Sequence, residues 1–576
     1  MLILGLSPLF KSDTTAALFR DGVIESALEN YKVKPSGPHG IPEEAVQYCL
    51  SKSGVTWSDI DVVAIAGDPL RGWGRRAFSR RCLSPIAPLA TAYQQGKELI
   101  RFAREWTGIG TLRQRLQNTQ KMVSLDHHSC HAASAFFFSP FDKALILTLD
   151  GEGDGRTALF AVGEGSRIRV QPPMPYLDSI GWVYSRATEL LGFIPSKEEH
   201  KTQWLGLHGE PVYKDKILRI LRGQNIRYFR RNPTGSFVTS DLFFNRLGLP
   251  PTGSGFTAEQ KRNLASSAQT AITELISDSL TSFQRKTGIN NICLGGGVFQ
   301  NTLLVALLER KFGVGNIFVP PAPGNAGSAL GAAAWVWHQQ MGKPRNPEVR
   351  SVYWGPSFPR TEIKEILDNV KARYSLHSTG EKTLDSAVRL LRAGKIVGWF
   401  QGATEFGPRS LGNRSILASP WAPYVCENLN DYVKHRESFR PFAVSVREED
   451  SARYFEGSPL CRFMNSLALV RPEAEVLPRP LQLPGRLVRL HIVEKATNRL
   501  LWELLGRFGE HESAPLLVNT SFNLPGEPPV VRPRDAVRTF FCSGTDAVFV
   551  DNFLLIKSSS AYILKGRPVS WQRVAI

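Results

Sequence analysis

The sequence predicts an α/β protein of two domains, the first of them internally duplicated. Short apolar runs alternate with segments of helical periodicity, the pattern of sheets covered by helices. A strand, acidic turn, strand pattern occurs twice, once from Leu2 to Phe19 and once from Leu145 to Phe160. Both signals lapse between Gly342 and Arg360, where proline, glycine and arginine crowd together, so a domain boundary is expected near residue 350. The expected domains are 1–345 and 346–576.

In the first domain Leu2-Ile3-Leu4-Gly5 leads through a polar loop with Asp13 into Thr15-Ala16-Ala17-Leu18-Phe19. Leu145 to Leu149 leads in the same way through Asp150 and Asp154 into Thr157-Ala158-Leu159-Phe160. Arg20-Asp21-Gly22 and Gly163-Glu164-Gly165 are the turns that close each hairpin. Two unrelated hairpins sharing common residues would read alike. Between them, Glu43 to Ser53 and Tyr93 to Trp106 have helical spacing, and Asp61 to Ala66 is a buried-strand run. A long helix over Ala258 to Arg285 precedes a strand over Asn291 to Leu294. The second domain shows an amphipathic helix over Thr383 to Ala393 and a strand over Ile396 to Phe400. A proline-rich interruption runs from Arg471 to Gly485, and strands follow over Pro515 to Val518 and Ala547 to Val550.

Composition narrows the class of partner. The 576 residues are 42% hydrophobic and 21% charged, ordinary for a folded protein. Seventy Lys and Arg against 52 Asp and Glu give a net charge of +18, which favours anionic partners such as phosphates or nucleic acid. The seven cysteines are odd in number and contain no C-x-x-C pair, which argues against a disulfide scaffold or a zinc ribbon and for a reducing cytoplasm. Met1 to Gly5 lacks the marks of an export signal. The longest apolar stretch, Ala326 to Trp337, is too short to span a bilayer, so no membrane partner is expected.

Three of the eleven histidines fall within His127-His128-Ser129-Cys130-His131, directly before the helix-forming run Ala132-Ala133-Ser134-Ala135. Residues four apart share a helix face, so His127 and His131 can offer two imidazole nitrogens to one ion. Asp150, at the end of the neighbouring strand, would complete a two-histidine, one-carboxylate set suited to iron, zinc or another mid-row divalent ion. The spacing equally suits two helix histidines with no ion. Gly151, Gly153 and Gly295-Gly296-Gly297 follow strands, where bare backbone N–H groups can meet a phosphate or nucleoside, although tight turns use the same residues. In the second domain, Gln401 to Ser415 and Lys434 to Phe442 mix cations with glycine, proline and aromatics. Arginine forks there suit phosphate oxygens. Asn519-Thr520-Ser521-Phe522-Asn523 places small polar side chains beyond a strand. A basic surface patch with structural Arg–Glu pairs is the plain alternative.

Taken together these motifs resemble the O-carbamoyltransferase family of nodulation-factor and antibiotic-tailoring enzymes. The resemblance rests on His127-His128-x-x-His131-Ala132-Ala133-Ser134-Ala135, Leu149-Asp150-Gly151-x-Gly153-Asp154-Gly155 and Gly295-Gly296-Gly297-Val298-x-x-Asn301. It continues in Glu405 to Leu417, in Arg436-Glu437-x-Phe439-Arg440-Pro441-Phe442 and in Asn519 to Pro528. It implies an actin-like, duplicated ribonuclease H-like domain similar to the tRNA threonylcarbamoyl transferase, followed by a YrdC-like domain. The implied chemistry joins carbamoyl phosphate to ATP in the second domain, with carbamoyl adenylate as intermediate. The first domain then moves the carbamoyl group to a hydroxyl of a small natural product or glycoconjugate. By matching motif, His127, His131 and Asp150 would be metal ligands, and Arg409, Arg414, Lys434, Arg440, Arg489, Asn519, Ser521 and Asn523 would bind ATP and carbamoyl phosphate. Gly151, Gly153, Gly295, Gly296, Gly297 and Asn301 would bind nucleotide in the first domain. The implied cofactor is a divalent metal, iron ahead of zinc or another ion, and ATP enters as its Mg²⁺ complex.

The chain departs from that pattern at informative places. Asn325, in Pro321-Ala322-Pro323-Gly324-Asn325-Ala326-Gly327, stands where the family has a fourth acidic ligand. Ser12, in Ser12-Asp13-Thr14-Thr15-Ala16-Ala17, stands where it has a histidine able to act as general base. Ser12, Asp13, Lys434 and Arg440 are the candidate catalytic residues. Arg489 is the sole match within Gly485 to Val493. Two other readings are a tRNA-modifying carbamoyl-transfer enzyme, suggested by the basic stretch Arg71 to Arg81, and a binding homologue that has lost catalysis at Ser12 and Asn325. Nucleic acid is the less favoured partner, because a surface loop or a lid over an anionic ligand explains the arginines as well.

Overall fold

The computed structural model describes residues 1–9, 13–34, 40–68, 99–100, 103, 106–114, 121–172, 180–222, 229–231, 237–239, 247–248, 255–345, 349–474 and 476–557. Ser12, the basic stretch from Arg71 to Arg81 and most of the helix expected over 93–106 lie outside the described residues. The chain divides into two compact units, Met1–Val349 and Arg350–Ile576.

The first unit repeats one topology. Strands β1 (Leu2–Leu6), β2 (Thr15–Arg20) and β3 (Val23–Glu29) form an antiparallel meander. Helix α1 (Glu43–Lys52) follows, and β4 (Val62–Ala66) and β5 (Lys121–Leu125) extend the sheet in parallel from β1. The order is β3-β2-β1-β4-β5. Helix α2 (His127–Phe136) links it to a second sheet. There β6 (Lys143–Gly153), β7 (Arg156–Glu164) and β8 (Arg167–Val170) form the meander. Helices α3 (Ile180–Leu190), α4 (Glu199–Gly206) and α5 (Ala258–Thr287) precede β9 (Ile292–Gly295); α6 (Thr302–Phe312) and β10 (Ile317–Phe318) follow. The order β8-β7-β6-β9-β10, with the same strand senses, matches the first sheet strand for strand. The two hairpins predict this duplication, and the resemblance implies its ribonuclease H-like form.

The hairpin turns show why the sequence folds this way. Asp21-Gly22 and Asp154-Gly155 have positive φ at both residues, +50° and +81° in one and +50° and +76° in the other, as a right-twisting two-residue hairpin requires. Strand β1 buries all five residues, and Leu2, Leu4 and Leu6 pack against Val46, Cys49 and Leu50 of α1. Such side chains contribute about 2 kcal/mol each when buried.

The two halves exchange helices. Helix α2, which follows the fifth strand of the first sheet, packs on β6, β7 and β9 of the second. Helix α7 (Asn325–Ala334), which follows the fifth strand of the second sheet, packs on β1, β2 and β4 of the first, and α2 and α7 pack on each other. Small residues permit this closeness: a Cβ on Gly5 would overlap the Ala329 carbonyl of α7, and one on Gly331 would overlap the Cys130 carbonyl of α2.

The second unit is one mixed sheet between helices. Helices α8 (Arg360–Asn369) and α9 (Gly380–Arg392) precede β12 (Val397–Phe400), after the short β11 (Ser375–Leu376). Then come β13 (Arg414–Ala418), β14 (Ala443–Arg447), β15 (Phe455–Glu456), β16 (Ala468–Val470) and β17 (Leu487–Val493). Helix α10 (Arg499–Gly509), β18 (Leu516–Ser521), α11 (Pro533–Phe541), β19 (Ala547–Val550) and β20 (Phe553–Ile556) complete it. The order is β11-β20-β19-β12-β13-β18-β14-β17-β16-β15. Successive side chains point to opposite faces. Val397, Trp399, Ala547 and Phe549 therefore join a core with α9 and α10, while Phe400, Val548 and Val550 join one with α8 and α11. Among the described residues no helix is long and apolar enough to cross a membrane.

Candidate functional site

In the first unit the metal-type residues meet at the start of α2. Asp126 caps the helix, its Oδ1 accepting from Ser129 N and Oγ at 3.1 Å each. Asp154 Oδ2 accepts from His127 N and from Asp68 N, both at 2.9 Å, so one carboxylate ties together the helix start, the chain after β4 and the β6–β7 turn. On the first helical turn, His127 Nε2 and His131 Nε2 lie 3.1 and 3.3 Å from Asp150 Oδ2 and 3.1 Å from each other. The three ligand atoms fall within 4.8 Å of one another. Burial alone would raise the Asp150 carboxyl, but hydrogen bonds from the two imidazoles outweigh it and hold it well below the usual carboxylate range. Two imidazole nitrogens and an ionised carboxylate converging in this way form a donor set that fits a divalent cation.

His128 takes no part. Its Nδ1 faces Thr148 Oγ1 at 2.7 Å and its Nε2 faces the Arg156 carbonyl at 3.2 Å. Burial and the neighbouring imidazoles push it down to about 3, so it is a neutral core residue.

The glycines expected near a nucleotide crowd this same place. Gly151 N donates to Asp150 Oδ1 at 2.7 Å. The His127 ring lies where a side chain on Gly153 would be, and a Cβ on Gly297 would stand 3.1 Å from Asp150 Oδ1. Gly295 abuts the His131 carbonyl, and Gly296, at φ +95°, abuts that of Leu149. Asn301 caps α6, its Oδ1 accepting from Leu304 N at 3.0 Å while its Nδ2 donates to Gln269 Oε1 at 2.7 Å. Across the duplication, Asn325 is the first residue of α7 as His127 is of α2. It donates from Nδ2 to Asp13 Oδ1 at 3.2 Å, and its own oxygen is buried without a partner among the described residues.

The second unit gathers cations. Lys434, 8% exposed, donates to Ser521 O at 2.9 Å, to Ser521 Oγ at 3.1 Å and to the side-chain and main-chain oxygens of Asn523, all of them neutral. Burial, then Arg436 and Arg440, push its ammonium down to about 7. Burial lowers Arg409 to about 10, and burial with Arg440 lowers Arg436 to about 9. Arg489 is held well below the guanidinium range by burial and by Arg409, Arg436 and Arg440. Its Nε is buried without a partner among the described residues. Glu437 lies 3.6 Å from Arg440. The crowding of Arg409, Lys434, Arg436, Arg440 and Arg489 suits a polyanion, since each positive charge raises the free energy of the others until a negative ligand arrives.

Arg414, expected among the anion ligands, is instead fully buried in β13. Its guanidinium donates to the carbonyls of Gln401, Gly402, Asn413 and Pro356 and lies 3.7 Å over the Phe400 ring. Asn519 and Ser521 lie within β18, not beyond it, because the strand runs to Ser521. Sequence reasoning passed over Arg436 as a member of the cluster and Glu405 as its support. Glu405 Oε1 accepts from the backbone of Leu411, Asn413 and Arg414 at 2.9, 2.7 and 3.0 Å, which fixes the loop bearing Arg409. Only the mixed motif around Arg436 could have signalled the first, and nothing in the sequence distinguishes the second from an exposed carboxylate.

A duplicated unit with a metal-type donor set and a second unit with a cluster of buried cations define a two-part protein suited to anionic ligands. Comparison with known proteins identifies the family. The family descriptions Carbamoyltransferase N-terminus and Carbamoyltransferase C-terminus match residues 2–334 and 388–557. Uncharacterized protein sll1178 of Synechocystis sp. is 33% identical over 97% of this chain and 97% of its own. Nodulation protein NolNO of Sinorhizobium fredii is 32% identical over 100% of this chain and 82% of its own. Among solved structures, full-length HypF in its phosphate- and nucleotide-bound form overlaps 58% of this chain and 46% of its own, at 14% identity and a TM-score of 0.29. The chain belongs to the carbamoyltransferase family and is a carbamoyltransferase.

Proposed function

We propose that this enzyme is an ATP-dependent O-carbamoyltransferase that draws its carbamoyl group from carbamoyl phosphate. The observation that carries the reading is the cationic pocket around Lys434, where burial depresses Arg409, and burial with neighbouring cations that include Arg440 depresses Lys434, Arg436 and Arg489, a set that suits a triphosphate and an acyl phosphate. In the domain 346–576, read as YrdC-like, water and carbamoyl phosphate yield phosphate and carbamate. The carbamate oxygen attacks the α-phosphorus of ATP and pyrophosphate leaves, so that carbamoyl adenylate remains. Lys434 and Arg440 stabilise the charge that develops on the departing oxygens.

In the domain 1–345, an acceptor hydroxyl attacks the carbamoyl carbon and AMP leaves. Asp13 takes the hydroxyl proton, because Ser12 cannot serve as base near neutral pH. His127, His131 and Asp150 would hold a divalent ion, iron ahead of zinc, with the Asn325 oxygen as a neutral fourth donor. When bound, the ion supplies Lewis acidity. The acceptor is a hydroxyl-bearing small molecule or glycoconjugate, and the six free cysteines among the described residues support a reducing compartment such as the cytoplasm. The test is exchange of labelled pyrophosphate into ATP by the full chain. Exchange that requires carbamoyl phosphate is expected, and its absence would overturn the reading.

A further inference from the structure

The second unit begins with a strip of chain, Arg350 to Pro356, that belongs to no strand or helix yet is tied along one loop. The loop is Gln401 to Asn413, which joins β12 to β13 and carries Arg409. The Val352 carbonyl accepts from Phe406 N at 2.7 Å, the Pro356 carbonyl accepts from Thr404 N at 2.9 Å, and Gly355 N donates to the Thr404 carbonyl at 3.0 Å. These bonds hold the part of the loop ahead of Arg409.

Beyond Arg409 the hold passes to side chains. Tyr353 Oη donates to the Leu411 carbonyl at 2.8 Å and accepts from Asn498 Nδ2 at 3.1 Å. Asn498 is itself fixed, because its Oδ1 caps α10 by accepting from Leu501 N at 3.2 Å and its Nδ2 also reaches Asn413 Oδ1 at 3.0 Å. Burial, then the Glu405 charge, push the Tyr353 phenol above its ordinary value, so it keeps the proton it donates. Leu411 N donates to Glu405 Oε1, and the peptides on both sides of Leu411 are therefore gripped. Gly407 and Gly412, at φ +103° and +100°, bracket Pro408 to Leu411 and are the natural hinges of that short piece. The grip on Leu411 is what stops it from turning.

We propose that Tyr353 is a positioning residue for donor activation, its hydroxyl fixing the Leu411 carbonyl and thereby the direction in which Arg409, two residues earlier, presents its guanidinium. The hydroxyl is bonded to protein on both sides, so its effect passes through the loop and not through a contact with substrate. The proposal rests on Arg409 holding a phosphate-bearing donor and adds a residue outside the cationic cluster on which that hold depends. Loss of one such hydrogen bond corresponds to about a 3- to 10-fold change in the population of the correctly set loop.

A double-mutant cycle in the full chain tests this, with carbamoyl-phosphate-dependent pyrophosphate exchange as the readout for Tyr353→Phe, Arg409→Ala and the two combined. Tyr353→Phe is expected to lower kcat/KM by about 3- to 10-fold and to raise the KM of the same substrate, ATP or carbamoyl phosphate, whose KM rises in Arg409→Ala. In the Arg409→Ala background the same change is expected to alter exchange by less than about twofold, because the group it positions is gone. Equal losses in both backgrounds would mark a merely structural tyrosine and overturn the proposal. So would a folded Tyr353→Phe protein with unaltered kinetics, a rise in the KM of the other substrate, or normal exchange by Arg409→Ala. Should Tyr353→Phe fail to fold, Gly355→Ala decides: its added carbon would stand 2.9 Å from Thr404 Cβ and from the Thr404 carbonyl oxygen, forcing the strip off the loop. It is expected to raise the same KM, and unaltered kinetics there overturn the proposal. Absence of exchange in the unaltered enzyme is a separate result, which defeats the donor reading and this proposal with it.

Discussion

Gly153→Ala isolates the metal-type site from everything else in the molecule. Gly153 has no positive φ to lose, so alanine costs nothing in backbone conformation. The difficulty is space: the added carbon would stand 1.8 Å from Cδ2 and 2.2 Å from Cγ of the His127 ring. Carbon atoms in contact keep about 3.5 Å apart, so the ring must withdraw by more than 1 Å, roughly. Nitrogen–metal bonds are about 2.0–2.1 Å long, and a displacement of that size breaks one. Overpacking of this kind costs about 1–3 kcal/mol, which leaves the rest of the fold standing. The purified variant should therefore melt cooperatively and, titrated with metal, need at least about tenfold more for half-saturation, since loss of one of three protein ligands weakens binding by at least that factor. Carbamoyl transfer should fall with the metal. Carbamoyl-phosphate-dependent pyrophosphate exchange should stay within about twofold of normal, because the proposal assigns that step to the other unit. A folded Gly153→Ala protein with unchanged metal affinity would refute the placement of His127, and one that loses both half-reactions equally would refute the division of labour.

His131→Ala should act in the same direction, removing metal and transfer while sparing pyrophosphate exchange, as measured by elemental analysis beside the exchange assay. Arg440→Ala and Arg414→Ala should part company. The first should fold and lose exchange and transfer together; the second should lose about 3–5 kcal/mol of stability in denaturant titration, because four carbonyls lose their donor. Lys434 should take up a proton when phosphate-bearing ligands bind. With its ammonium at about 7 in the free pocket it is mostly neutral at pH 8, and an incoming anion raises it, so calorimetry in buffers of differing ionisation enthalpy should show uptake of up to about 0.9 proton, lost in Lys434→Ala. The same depression makes the folded state hold fewer protons than the unfolded chain between about pH 7 and the ordinary lysine range. Stability from this group therefore rises with pH across that window, and its penalty is fully present below pH 7.

Much of the fold was legible because burial imposes simple periods. Asp61 to Ala66 and Ala547 to Val550 are continuous apolar runs and became interior strands, and the spacing over Ala258 to Arg285 became α5 within two residues at its end. The duplication was legible from two hairpins, although the exchange of helices between halves was not, since pairing of distant elements leaves no local trace. Side-chain roles were less legible. His127 and His128 are chain neighbours, yet a 100° turn of the helix sends one to Asp150 and the other to Thr148. Arg409 and Arg414 share one motif, but the second sits inside a strand against Phe400 and serves the backbone. Arginine composition cannot tell these environments apart, because one residue lies on a loop and the other inside a strand.

The exchange of α2 and α7 makes the duplicated unit an interlocked pair. A chain cut between Phe136 and Lys143 would give a first half whose α2 has lost the sheet that covers it and whose β1, β2 and β4 lie bare where α7 belongs. Neither piece could form the donor set, because His127 and His131 come from one and Asp150 from the other, and the opposite pairing of Asp13 with Asn325 is divided the same way. The scaffold thus offers two equivalent helix mouths, each completed by the other half's acid. This sequence loads one with imidazoles and the other with an amide, so an architecture that is nearly symmetric in its backbone is polarised in its ligands.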